Sequence, residues 1–250
     1  TVMVQSKNGL LSFWGLIEKH SINWVSVMPS ILSILLAMPC LPKNNSLIGI
    51  VCGGQILLPE VQKNFETKFK VPIFEGYGIT ETTSFASFND FPGEKRKFGS
   101  VGRALPINSI VVLEDLGNQL PPFEEGEMCI KGLNVANEYL GLTEKNKESF
   151  RHGWFHSGDY GYLDDEGYVY FKTRKDFLIV KGGEKIYPSE VENLLFQHPA
   201  IAECAVIGIP DELLGENICA FVKLKEKHDR DEAGKDKTSP TAQELLHFMS

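Results

Sequence analysis

Two short apolar runs, each followed by glycines, constrain the fold of the first part of the chain most strongly. The runs "SLIGIVCGG" (46–54) and "VPIF" (71–74) flank a stretch at 59–69 whose apolar spacing is helical. That order predicts parallel strands joined by a helix, because a chain needs a crossover to return to a parallel register. Upstream, the same reasoning predicts a helix at 9–21, a strand at 22–29 and a buried helix at 30–38. Residues 1–95 are therefore predicted to form an α/β subdomain.

The two strands are followed by polar and glycine-rich segments. These are "CGGQ" (52–55) and "GYG" (76–78), the second continuing into "TETT" (80–83). Neighbouring parallel strands place such loops on one edge of the sheet, where ligands commonly bind. Glycine lets a ligand approach the backbone, tyrosine offers a flat ring, and a carboxylate can hold Mg²⁺. The residues leave a second reading open, a strand-to-helix turn in which threonine caps a helix.

After residue 95, the apolar runs are shorter and are separated by turn residues. Brief strands at 109–115, 126–132 and 167–173, separated by turn residues, predict a small β-barrel or distorted sheet over residues 96–173. A strand, a Gly-Gly turn and a helix follow within 177–199, and two more strands at 201–210 and 217–224. Residues 174–250 are thus predicted to be a small α+β domain, with a solvated loop at 225–240 and the start of a helix after it.

Composition narrows the function classes. The net charge of −8 argues against nucleic acid as the main partner, because phosphate binding needs clustered cations. The five cysteines are widely spaced without a CxxC pair, so neither a disulfide nor a zinc site is predicted. The apolar run at 31–38 is too short to span a bilayer, and no secretory signal is visible. A cytoplasmic location is the expectation.

Further candidate residues stand in "GWFHSGDYGYLDDEGY" (153–168) and shortly after it. Asp159 suits a ribose, since carboxylates accept both ribose hydroxyls in dinucleotide sites, and Arg174 can reinforce that contact. Taken singly, Asp159 can instead cap a turn and Arg174 can be a surface cation. Asp164 with its neighbour indicates a hairpin turn. His156 is interpreted as structural, because no nucleophile motif accompanies it.

In this order, the motifs "EGYGITET", "GEMCIKG", "HSGDYG" and "RKDFLIVKGGEKIYPSEVE" resemble the adenylate-forming superfamily, which includes acyl-CoA synthetases, non-ribosomal adenylation domains and beetle luciferases. The resemblance runs from about residue 22 to 224 and is greatest to acyl- and aryl-CoA synthetases. It implies a partial adenylate-forming fold: an α/β subdomain, a β-barrel-like subdomain and a small mobile α+β domain.

The resemblance implies roles for the glycine-rich segments. Tyr77 would stack on adenine, with Glu75 and Gly76 lining the adenine edge. Gly53 and Gly54 would border adenine and the acyl group. The nucleotide expected here is ATP, and AMP after the reaction.

Catalytic and ribose-binding roles follow in the same way. Thr80 would bind phosphate and Glu81 would hold Mg²⁺, while Asp159 and Arg174 would bind the ribose hydroxyls. Asp176 matches the hinge between the large and the small domain.

The resemblance also implies the reaction. A carboxylic acid attacks the α-phosphate of ATP, giving an acyl-adenylate and pyrophosphate. The small domain then rotates, Gly182 and Gly183 line the pantetheine tunnel, and the CoA thiol takes the acyl group. The expected partners are the acid, ATP and CoA, and fatty acid metabolism is the expected context.

The chain departs from the family pattern in several places. Gln55 stands where a small residue is usual, and Thr173 replaces a glycine. The upstream phosphate loop with its lysine and the lysine near the carboxyl end have no counterpart here. The chain is thus interpreted as an internal fragment, inactive by itself. Two alternatives stay open: an adenylation domain that loads a carrier protein, and a non-catalytic nucleotide-binding fragment.

Overall fold

The computed structural model describes residues 12–39, 42, 45–89, 95–225 and 240–249. The chain divides into two compact units. The first comprises Thr1–Ser157 and Gly161–Phe171, and the second Gly158–Tyr160 and Lys172–Ser250. The sequence-based subdomain boundaries at 95 and 173 stay a prediction. The start of the predicted first helix, Cys40 and most of the predicted loop at 225–240 lie outside the described residues.

The first unit begins as predicted, with helices and parallel strands in alternation. The helices are α1 (Phe13–His20), α2 (Pro29–Ala37) and α3 (Pro59–Phe69). The strands are β1 (Trp24–Val27), β2 (Gly49–Gly53), β3 (Ile73–Tyr77), β4 (Ser87–Phe88) and β5 (Arg103–Ala104). They form one sheet in the order β1-β2-β3-β4-β5, in which β1, β2 and β3 are parallel. The last two strands pair antiparallel.

Strand β3 is longer than predicted. The apolar run suggested a strand ending at residue 74 and a loop at 76–78, and that boundary is wrong: Gly76 and Tyr77 belong to the strand. Gly76 pairs in parallel register with Gly53 of β2 and in antiparallel register with Phe88 of β4. Backbone pairing on both sides therefore keeps these residues extended, although glycine weakens a strand by itself.

An apolar cluster holds the helices against one face of this sheet. Phe65 and Phe69 of α3 are buried beside Trp14 of α1, whose ring centroid lies 4.7 Å from that of Phe69. Ile50 and Ile73, from neighbouring parallel strands, are fully buried in the same cluster. Burial of such side chains contributes roughly 1.5–3 kcal/mol each, so this layer fixes where the ends of β2 and β3 lie.

A second sheet follows, formed by β6 (Asn108–Leu113), β7 (Gly126–Gly132), β8 (Phe150–Arg151), β9 (Trp154–Leu163) and β10 (Val169–Arg174), with helix α4 (Thr143–Ser149) before β8. Its order is β10-β9-β7-β6, and β8 pairs with β9. Strand β9 was not predicted, because its sequence mixes aromatic and polar residues with glycines at 158 and 161 and shows no regular apolar alternation. Asp159 lies within this strand, so its interpretation as a turn cap is wrong, whereas Asp164 does lie at the predicted hairpin turn.

The second unit has an antiparallel sheet and two helices. Its elements are β11 (Ile179–Lys181), β12 (Glu184–Ile186), α5 (Pro188–Phe196), β13 (Ile201–Asp211), β14 (Gly215–Leu224) and α6 (Ala242–Phe248). The sheet order is β12-β11-β14-β13. Strand β12 was missed, and it makes the Gly-Gly turn a hairpin. Ile179, Leu195 and Leu245 are buried in the core of this unit. Among the described residues, no helix is long and apolar enough to cross a membrane.

Candidate functional site

The carboxyl ends of β2 and β3 form the edge that the sequence predicted. Gly53 and Gly76 are register partners there, and a Cβ atom added to Gly53 would lie 2.7 Å from the carbonyl oxygen of Gly76. Beyond the strand, a Cβ atom on Gly78 would lie 1.6 Å from the carbonyl oxygen of Ser84. The backbone comes too close at both positions for any side chain. The glycines thus create a bare backbone surface at this edge.

A groove of about 1160 Å³ lies along that surface. One wall consists of Gly53, Gly54, Gly76 and the segment that follows β3. The other lining residues come mainly from α1, β1 and the turn between them. They include the apolar Phe13, Leu16, Ile17, Trp24, Val25 and Val27 and the polar His20, Ser21, Asn23 and Ser26. Apolar side chains with several polar groups are the usual lining of a small-molecule site.

Phe85 is a groove residue that the sequence reasoning missed. A Cβ atom on Gly76 would lie 2.6 Å from its Cε1, and one on Gly53 would lie 3.4 Å from the same atom, so the ring covers both glycines. The turn before it holds Thr83 and Ser84 at φ values of 50° and 86°. Such left-handed backbone is uncommon outside glycine and clusters at functional sites. The left-handed turn before Phe85 is visible only in the backbone conformation, so the residue types in the sequence could not predict it.

Asn134 holds this strained turn in place. Its side-chain amide donates to the carbonyl oxygens of Thr82 (2.6 Å) and Phe85 (3.1 Å). Its own carbonyl oxygen accepts a hydrogen bond from the Thr83 hydroxyl at 2.9 Å. The alternative in which threonine caps a helix is wrong: only a 3₁₀ turn, Thr80–Thr82, follows β3, and its cap residue is Ile79. The Thr82 hydroxyl accepts a hydrogen bond from the backbone N–H of Ile79.

Glu81 is held by a partner that the sequence did not reveal. The phenol O–H of Tyr139 donates to its Oε1 at 2.5 Å, and the backbone N–H of Ala136 donates to its carbonyl oxygen at 2.7 Å. Glu81 is half-buried, whereas its neighbour Thr80 is exposed. The carboxylate is therefore oriented by a second segment more than fifty residues along the chain, with Oε1 engaged.

Glu75 lies on β3, where its side chain is buried. Its carboxylate accepts a hydrogen bond from the backbone N–H of Leu57, and burial raises its pKa from 4.5 to about 8. Cys52 stands beside it on the neighbouring strand, and burial together with the Glu75 charge raises the pKa of that thiol to about 12. Glu75 thus connects β3 to the segment that follows β2, and both groups favour their neutral forms.

Tyr77 is also buried. Its ring lies in an apolar cluster, stacked on Phe171 with centroids 6.3 Å apart. Stacking of Tyr77 on adenine stays a prediction.

Asp159 and Arg174 come together in the second unit. Asp159 is 2% exposed, and its Oδ1 lies 3.5 Å from Nε of the half-exposed Arg174. Gly158, next to Asp159, has a φ of 71° and approaches the same guanidinium. Arg174 is exposed, as the interpretation as a surface cation requires, and it is also paired with a buried carboxylate.

The predicted hinge and tunnel residues also have defined positions. Asp176 lies in a 3₁₀ turn, Lys175–Phe177, directly after β10. Gly182 and Gly183 form the turn between β11 and β12, with φ values of 59° and 91° that favour glycine. Their roles stay predictions.

A partly parallel α/β sheet with a glycine-lined groove, followed by a β-rich sheet and an α+β piece, is the architecture of adenylate-forming enzymes. The chain belongs to the AMP-binding enzyme family: that family matches residues 1–140, and the AMP-binding enzyme C-terminal domain matches residues 190–249. The fold class and the resemblance inferred from the sequence are thereby confirmed.

Characterised relatives are named CoA ligases. The chain is 36% identical to an oxalate–CoA ligase of Saccharomyces cerevisiae over 95% of its length, and 34% identical to a 2-succinylbenzoate–CoA ligase of Bacillus subtilis over 90%. It covers 42% and 46% of those proteins, and so spans less than half of their length.

The chain is also similar to solved structures of this family, and again over less than half of their length. ATP-bound MatB from Rhodopseudomonas palustris matches 96% of the chain with a TM-score of 0.84 and 31% identity. The Bacillus subtilis o-succinylbenzoate CoA synthetase MenE, in complex with its acyl-adenylate intermediate, matches 96% with a TM-score of 0.82 and 32% identity. The chain covers 46% of each of those structures.

Proposed function

We propose that the chain is part of an enzyme that activates a carboxylic acid with ATP and transfers the acyl group to CoA. The observation that carries this proposal is the pairing of Gly53 with Gly76 at the edge of the groove, next to the oriented carboxylate of Glu81. The names of several relatives, among them an oxalate–CoA ligase and a 2-succinylbenzoate–CoA ligase, support the same reaction class.

In this proposal, the groove orients the acid and the nucleotide beside the ends of β2 and β3. Gly53 and Gly76 leave room there for the Phe85 ring, which also lines the groove. Thr80 would donate to a phosphate oxygen. Asp159 and Arg174 would hold the ribose. The neutral form of Glu75 keeps a buried charge away from adenine, because its pKa is raised to about 8.

The Glu81 carboxylate is suited to bind Mg²⁺. The Tyr139 hydroxyl engages its Oε1, so that the carboxylate has a fixed orientation and its Oε2 can serve as a hard oxygen ligand. When bound, Mg²⁺ would neutralise charge on the phosphate oxygens. Tyr139 and Ala136 contribute by keeping Glu81 in place through the reaction.

The experiment is acid-dependent ATP–pyrophosphate exchange by the complete protein that contains this chain, measured against Mg²⁺ concentration. Tyr139→Phe should raise the Mg²⁺ concentration needed for half-maximal exchange several-fold, since one hydrogen bond to a charged group contributes roughly 1.5–3 kcal/mol. Glu60→Gln, an exposed change on α3, is the matched control. An unchanged Mg²⁺ requirement in Tyr139→Phe would show that the Tyr139 hydroxyl does not position Glu81 for the metal; an unchanged requirement in Glu81→Gln as well would remove Glu81 from the proposed role.

Residues 1–250 alone are expected to give no pyrophosphate exchange and no CoA thioester, because both lysine-bearing segments of the family are missing from them. A cytoplasmic location and a role in fatty acid metabolism are further parts of the proposal. In the alternative, the chain is part of an adenylation domain that loads a carrier protein. That alternative predicts acyl transfer to the thiol of an arm attached to a serine of the carrier protein, instead of transfer to free CoA.

A further inference from the structure

A cluster of three potential metal ligands is buried in the second sheet. Glu127 and Cys129 lie two residues apart on β7, so that their side chains point to the same face, and His156 lies on the neighbouring strand β9. The carboxylate, thiol and imidazole atoms all lie within 4.8 Å of one another. Sequence spacing could not reveal this cluster, because strand pairing brings together residues far apart in the chain.

The distances in the cluster match a tetrahedral cation site. Cys129 Sγ lies 3.4 Å from His156 Nδ1, and that nitrogen lies 3.0 Å from Glu127 Oε2. A tetrahedron with Zn–S of about 2.3 Å and Zn–N and Zn–O of about 2.1 Å has edges of about 3.6 Å and 3.4 Å between the same atom types. These two distances therefore need to lengthen by only a few tenths of an ångström. The third, between Cys129 Sγ and the Glu127 carboxylate, lies within 4.8 Å, where such a tetrahedron has about 3.6 Å.

Charge balance allows a cation at this depth. All three side chains are buried, and a divalent cation with one thiolate and one carboxylate has no net charge. Ligation at Nδ1 places the single imidazole proton on Nε2, and formation of the Cys129 thiolate releases one proton to solvent. The nearby cation, Arg151 Nη2, lies 3.6 Å from Glu127 Oε2 on a side chain that is 37% exposed, so its charge stays partly hydrated.

We propose that Glu127, Cys129 and His156 form a binding site for a thiophilic divalent cation of the Zn²⁺ type. Thiolate and imidazole together disfavour Mg²⁺ and Ca²⁺, which prefer oxygen ligands. None of these three residues lines the groove of the proposed function. His156 lies three residues before Asp159 on the same strand, β9.

The test uses Co²⁺ as a spectroscopic probe of the purified chain, both added to folded protein and present during refolding. We expect an ultraviolet thiolate-to-cobalt band with visible bands of tetrahedral intensity, and loss of both on addition of Zn²⁺. Cys129→Ser should abolish the ultraviolet band, whereas Cys204→Ser, at a half-buried position in the other unit, should leave it unchanged.

Glu127→Gln is the second variant. It keeps the shape of the side chain and the thiolate, so the same band should develop only at Co²⁺ concentrations at least tenfold higher. Circular dichroism establishes that each variant is folded. Absence of the band in the parent chain under both loading conditions, or an identical band in Cys129→Ser, would overturn the proposal and leave a buried hydrogen-bonded cluster without a metal role.

Discussion

Gly53→Ala tests directly whether the two strand ends must meet through bare backbone. The added Cβ atom would lie 2.7 Å from the carbonyl oxygen of Gly76, its register partner. That is roughly 0.8 Å closer than an unstrained contact of about 3.5 Å. Because the obstacle is backbone in a paired strand, it cannot be relieved by a change of side-chain rotamer.

The expected cost follows from that distance. Forcing extra atoms into a packed region typically destabilises a protein by about 1–3 kcal/mol. Replacing a strand glycine by alanine stabilises it by roughly 0.5–1 kcal/mol, because the unfolded chain loses backbone freedom. We therefore expect Gly53→Ala to lower the free energy of unfolding by about 1 kcal/mol, and by no more than about 2.5 kcal/mol. Gly15→Ala is the control, since its Cβ atom meets nothing within 4 Å in helix α1. It should raise stability by about 0.5–1 kcal/mol.

Urea denaturation of the chain, followed by tryptophan fluorescence, measures both effects. Trp14 packs in the core of the first unit and Trp24 lies on β1 of the same sheet, so both report on this layer. If Gly53→Ala unfolds at the same or a higher urea concentration than the parent while Gly15→Ala shifts upward as expected, the strand ends do not need a glycine at position 53.

Three further changes have defined outcomes. Asp159→Ala in the complete protein should weaken ATP binding by roughly 2–4 kcal/mol, the scale for losing charged hydrogen bonds in a closed site; an unchanged affinity by calorimetry would remove Asp159 from the ribose contact. Asp176→Pro fixes φ at the proposed hinge and should reduce thioester formation far more than adenylation; equal losses in the two half-reactions would argue against a hinge there. The buried Glu75 has a pKa raised from 4.5 to about 8, so the folded chain keeps a proton that the unfolded chain loses, and stability should fall as the pH rises between those values. Glu75→Gln should flatten that fall in urea midpoints, and an unaltered slope would show that Glu75 is not its source.

The sequence was informative where local pattern decides the structure. Helix α3 begins and ends at Pro59 and Phe69 as predicted, because proline starts the helix and its apolar spacing is regular. Strand β7 was also predicted with its full length, since its residues are buried and bounded by glycines. The edge formed by β2 and β3 followed from the rule for parallel strands.

What the sequence left out depends on contacts between distant segments. Tyr139 reaches Glu81, and Asn134 clamps the turn before Phe85, across about fifty residues that no local pattern connects. The extension of β3 to Tyr77 needs partners on both sides. The spacing of the cysteines likewise did not show that Cys129 meets His156, because strand pairing alone brings them together.

The most direct test of the proposed function follows the oxygen atoms of the acid. The complete protein is incubated with ATP, Mg²⁺, CoA and a panel of carboxylic acids labelled with ¹⁸O in the carboxyl group, and the nucleotide products are examined by mass spectrometry. Attack of the carboxylate on the α-phosphate leaves one carboxyl oxygen on the phosphate when the thioester forms, so we predict AMP that carries a single ¹⁸O atom. Labelled inorganic phosphate together with ADP would contradict an acyl-adenylate, and with it the proposed function of the glycine-lined groove.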